Sequence, residues 1–102
     1  MNFKYTPNTL KKLEGLFEEA DFTIRYEKGN FNSGYCVLEA RRIIVVNKFF
    51  NVESRINALM EILTNTAIDE TMLGGDTLKF YHQFKNIATR ADEPLVQTKI
   101  DL

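Results

Sequence analysis

Ile43 to Thr64, reading IIVVNKFFNVESRINALMEILT, passes from an apolar run into an amphipathic helix, and that transition decides the architecture of the chain. Ile43, Ile44, Val45 and Val46 are all β-branched, which favours a strand covered on both faces, in the middle of a small sheet. Asn51 is placed to cap a helix beginning near Val52, with Glu53 set favourably against its N-terminal dipole. Val52, Ile56, Leu59, Met60 and Leu63 then recur on one face, which predicts a helix over 52–65. Glu61 is the one carboxylate on the apolar side of that helix.

Upstream, Thr6 and Pro7 read as a cap and a first-turn proline, and Leu10, Leu13, Phe17 and Ala20 make the apolar stripe of a helix over 7–20. Phe22, Ile24 and Tyr26 alternate with Thr23, Arg25 and Glu27, the period of a half-buried strand over 22–27. The loop Lys28 to Gly34 (KGNFNSG) carries residues suited to positive φ. A second strand follows over 35–40, with Tyr35, Val37 and Ala40 on one face and Cys36 and Leu38 on the other.

Downstream, Thr66 to Leu73 reads either as a short helix or as an irregular connection, broken at Gly74 and Gly75. Asp76 is placed to cap a last helix over 76–89, its apolar face formed by Phe80, Tyr81, Phe84, Ile87 and Ala88. Pro94 stops it, leaving Leu95 to Leu102 as an edge strand, within Leu95 to Ile100, or a docked tail. The expectation is a single α+β domain over 1–102, a three-stranded mixed or antiparallel sheet packed by three helices.

A chain of 102 residues with 44% hydrophobic residues supplies one core and excludes a disordered polymer. The formal charge of -1 gives no general attraction to polyanions. The sequence MNFKYTPNTL at the start has no signal-like apolar stretch, and no segment has the length of a membrane span. Cys36 is the only cysteine, so no intrachain disulfide forms, and its apolar neighbours predict a buried thiol in the cytoplasm.

Gly34, the strands leading through Ile43 to Asn47, and the helical run Arg55-Ile56-Asn57-Ala58-Leu59-Met60-Glu61-Ile62-Leu63-Thr64 resemble the core of zinc peptidases of the ImmA/IrrE type. The resemblance covers about a third of the chain. It implies a zincin-like scaffold with an N-terminal helix, a small sheet and an active-site helix. In that family a His-Glu-x-x-His motif binds zinc, and the corresponding positions here are Met60, Glu61 and Thr64. Two histidines at i and i+4 would present neutral nitrogens to the metal, and the glutamate would manage the proton of its bound water. Met60 and Thr64 cannot take that role, so Glu61 is expected to be structural, at the edge of the core or paired with a base.

Three other arrangements bear on chemistry. His82, the only histidine, would need Glu61 and either Asp69 or Glu70 to complete a three-ligand zinc site, and is expected instead to be an exposed or hydrogen-bonded helix residue. Cys36 would need His82 beside it to act as a nucleophile. Lys11, Lys12, Arg41, Arg42 and Lys48, with Tyr35 or Phe49 nearby, form a basic set short of any nucleic-acid consensus. The loop Gly29 to Gly34 lacks the spacing of a phosphate cradle, and Phe31 within it is either a recognition side chain or a residue folded onto the sheet. Accordingly no catalytic residue, metal or cofactor is expected. The working expectation is a non-enzymatic module that binds another protein or itself, ahead of a divergent metal-dependent hydrolase or a small nucleic-acid-binding regulator.

Overall fold

A computed structural model of the chain describes residues 4–28 and 34–86. Helix α1 (Pro7–Glu19) opens on Thr6, whose hydroxyl accepts from the Thr9 amide at 3.2 Å. Its buried face carries Leu10, Leu13, Leu16 and Phe17. The chain reverses at Asp21, in the left-handed region at φ 71, and enters β1 (Thr23–Glu27). Strand β2 (Tyr35–Leu38) follows, then β3 (Ile43–Asn47), α2 (Val52–Asn65) and a helix α3 over 75–86. Among the described residues this is an α+β fold with three helices and a small open mixed sheet.

The sheet order is β1-β3-β2, with β1 parallel and β2 antiparallel to β3. Central placement of β3 matches its β-branched run, but coverage on both faces does not. Ile44 and Val46 are fully buried under the helices, whereas Ile43 and Val45, on the other face, are only half-buried among the described residues. The run thus reflects strand propensity at the centre of a sheet more than two-sided burial. Cys36 pairs with Val45 on that same outer face and is half-buried, where a buried thiol was expected.

Strand β2 ends two residues short of the expected 40. Glu39–Arg41 form a 3-10 turn and Arg42 takes φ 55, so Ala40 leaves the sheet. Helix α2 keeps the expected bounds, capped by the Asn51 side chain, which accepts from the Ser54 amide at 2.8 Å. The stretch between α2 and α3 is a connection containing one 3-10 turn, Glu70–Met72.

Helix α3 starts one residue earlier than expected, and Asp76 does not cap it. The cap comes from α1: Glu19 accepts the Gly74 amide at 2.8 Å and the Thr77 hydroxyl at 2.7 Å. Those bonds hold the Glu19 carboxyl below its ordinary pKa, the Gly74 amide contributing most, then Thr77, against a small opposing effect of burial. All three helices contribute to one core that includes Phe17, Phe22, Ile44, Ile56, Leu59 and Phe84. Among the described residues no polar or charged side chain is buried, and no helix is long and apolar enough to cross a membrane. The Leu95 to Leu102 segment lies outside the described residues.

Candidate functional site

The register of the sheet sets two tyrosines on either side of one residue. Tyr26 of β1 and Tyr35 of β2 are both paired with Val46 of β3, and all three pack toward the helices. Each phenol donates to a glutamate on the helix above it, Tyr26 to Glu14 of α1 and Tyr35 to Glu61 of α2.

The Tyr26 pair is part-buried beneath Arg55. Arg55 lies over the Tyr26 ring, 4.2 Å from its centroid, and donates to the Phe50 carbonyl at 3.0 Å and the Lys48 carbonyl at 2.9 Å. The guanidinium therefore ties the loop after β3 to the first turns of α2 while stacking on β1. Burial, followed by the bond to Glu14 and its charge, pushes the Tyr26 pKa well above the ordinary value, with Arg55 opposing.

The Tyr35 pair opens on a hollow of about 250 Å³ lined by Tyr35, Phe50, Ser54, Asn57, Ala58 and Glu61. Ser54, Asn57 and Glu61 follow at spacings of three and four on α2, so one helical face presents a hydroxyl, an amide and a carboxylate. The Tyr35 pKa is pushed up to about 12, first by the bond to Glu61, then by partial burial and the Glu61 charge.

Gly34 lies against the ring of Phe50, one of the residues lining this hollow. It has φ +88, and a Cβ there would fall 2.1 Å from Cζ of the Phe50 ring. Its carbonyl also accepts the Asn47 amide at 2.8 Å, so the glycine joins β2 to the end of β3 under the ring.

Glu61 is exposed, not on the buried side of its helix. Met60 packs against the core, and the Thr64 hydroxyl donates to the Glu61 carbonyl at 2.8 Å. The zinc implied by the resemblance does not fit these residues: one thioether turned into the core and one hydroxyl bonded to backbone replace two imidazoles. His82 lies 3.2 Å from Glu70, both well exposed, while Asp69 accepts from the amide and hydroxyl of Thr71. Among the described residues no three histidine, cysteine, aspartate or glutamate side chains gather as a metal site, so Glu61, His82 and Asp69 or Glu70 are not brought together. Cys36 faces away from the helical layer that carries His82.

The basic set is dispersed as well. Arg42 is occupied at the start of β3, over the Phe22 ring at 4.3 Å and donating to the Asp21 and Ala20 carbonyls. Lys48 stands at the opposite end of that strand, 5.4 Å from the Phe49 ring centroid, and Lys12 is the same distance from Phe80 of α3. Phe31 lies outside the described residues.

A wider groove of about 560 Å³ runs between α1 and α3, lined by Lys12, Gly15, Glu19 and Phe80 among others. Its central carboxylate is the Glu19 that caps α3. The pairing of Tyr26 with Glu14 and of Tyr35 with Glu61 had one signal in the sequence: a tyrosine on the inward face of a strand needs a partner for its hydroxyl. No protein-family model matches the chain, and no curated protein or solved structure matches it either.

Proposed function

We propose that this chain is a non-enzymatic protein-interaction module on a degenerate zincin-like framework, with the hollow between β2 and residues 54–61 of α2 at the centre of its binding surface. One observation carries the reading. The Glu61 carboxylate is held by the Tyr35 hydroxyl in an open polar recess, while Met60 and Thr64 at the flanking positions are engaged in packing and in a backbone bond. That geometry favours recognition over activation of water. Phe49, 69% exposed and next in the chain to Phe50 of the hollow, offers an exposed apolar side chain.

The partner is another protein or a second copy of the chain, and the lone thiol supports a cytoplasmic setting. Sedimentation velocity over a wide concentration range detects the second copy. Cross-linking and quantitative capture in cells test another protein, comparing wild type with Asn57→Lys at the hollow and Lys79→Ala on α3. Stoichiometric capture lost only in Asn57→Lys is the expected result. Zinc-dependent peptide hydrolysis that disappears in Glu61→Gln would overturn the proposal.

A further inference from the structure

We infer that the hollow receives a guanidinium group, the arginine side chain of a partner protein; the inference rests on the interaction-module reading and names the chemistry of its central contact. Three observations carry it. First, among the described residues Glu61 is the only charged side chain lining the recess, and no lysine or arginine pairs with it. The nearest candidate on the same helix, Arg55, is spent on the Phe50 and Lys48 carbonyls and on the Tyr26 ring.

Second, the remaining groups match a planar donor fork. Asn57 supplies an amide oxygen, Ser54 a hydroxyl, Glu61 a carboxylate and Phe50 an aromatic wall, so donors in one plane find acceptors along one helical face while the apolar stem meets the ring. An ammonium is a compact and more strongly hydrated charge, and it uses this layout less well. Third, a volume of about 250 Å³ lies below the range of roughly 300–1,000 Å³ common for small-molecule sites, and suits one inserted side chain.

Tyr35 acts as a positioning residue. Its hydroxyl donates to Glu61 Oε1 and so fixes the carboxylate rotamer at the mouth of the recess. Phe50 is fixed from behind by the backbone at Gly34. The site is therefore set before any partner arrives, which lowers the ordering cost of binding.

The test is amide-resolved NMR titration of the full chain with Nα-acetyl-arginine amide, with the matching lysine and citrulline amides as probes of charge shape and charge. Saturable shifts at Tyr35, Asn57 and Glu61, at least about tenfold weaker for citrulline and weaker for lysine, are expected. Glu61→Gln and Asn57→Lys should each weaken the arginine probe by about tenfold or more while the spectrum stays dispersed, and Tyr35→Phe should weaken it less. Two variants at exposed positions guard against a failure to fold. Equal shifts with citrulline, unchanged affinity in Glu61→Gln, or no saturable shift up to about 100 mM of the arginine probe overturns the inference. Those outcomes leave the module reading intact, because that reading falls on zinc-dependent turnover and on partner capture, which use no arginine probe.

Discussion

Tyr26 and Tyr35 flank the same valine, face the same helical layer and make the same bond to a glutamate, yet one pair is covered in part and the other open. The difference is Arg55. Its guanidinium covers Tyr26 and fastens two loop carbonyls, whereas the α2 face over Tyr35 carries the short side chains of Ser54, Asn57 and Ala58. The same bond thus lies beneath a guanidinium on the parallel side of the sheet and beside an open hollow on the antiparallel side. Side-chain length on one helix, more than the pair itself, sets that difference.

The most damaging change to this arrangement should be Gly34→Ala. A methyl group driven into the Phe50 ring at a positive φ is expected to cost about 2–4 kcal/mol in urea unfolding and to deform the hollow. Arg55→Ala should follow, at about 2–3 kcal/mol, since two carbonyls lose their donor and Tyr26 its cover. If Arg55→Ala costs no more than Glu61→Gln, the distinction between covered and open pairs fails.

Removing the phenols sharpens the contrast. Tyr26→Phe is expected to cost about 1–2 kcal/mol and Tyr35→Phe under about 1 kcal/mol, because only the first leaves its carboxylate partner in a partly buried setting. Glu61→Gln should likewise cost under about 1 kcal/mol while weakening any partner that enters the hollow. Equal losses for the two tyrosine variants would erase the asymmetry.

The smallest effects are in pH. Both tyrosines have pKa values raised from 10.0, Tyr35 to about 12, so their stabilisation is complete below pH 10 and is lost as pH rises through the folded-state value. Melting curves of wild type should therefore fall above pH 10, and Tyr35→Phe should flatten part of that fall up to about 12. Glu19 shows the opposite sign. Its lowered pKa gives stability that is present above 4.5 and lost as pH falls through the folded-state value, and Glu19→Gln should flatten that acid limb.

Much of the scaffold was legible because local periodicity and capping chemistry agree with the fold. Pro7, Asn51 and the stripe Val52 to Leu63 fixed two helices, and four consecutive β-branched residues marked the central strand. What escaped depends on contacts distant in sequence. Asp76 had the right chemistry for a cap, yet a carboxylate from the first helix holds the amide of Gly74. Glu61 fell on an apolar helical face but lies at its edge, where it meets a tyrosine from β2. Arg55, read only as the leading residue of a family-like helix, turned out to be the clamp that separates the two tyrosine pairs.

The strand order also sets a timetable. Every partner in the β1–β3 ladder lies twenty residues further along, Thr23 with Ile43 through Glu27 with Asn47, and β2 never bonds to β1. On a translating ribosome the first strand consequently waits about 1–4 s for its neighbour to be made. In the finished sheet its outward face is Thr23, Arg25 and Glu27, with Arg25 and Glu27 in an ion pair of 2.6 Å, and these residues are polar or charged before the sheet forms as well. A polar, charge-balanced edge of this kind offers little to another nascent chain, so the same residues that decorate the finished sheet guard the unfinished one.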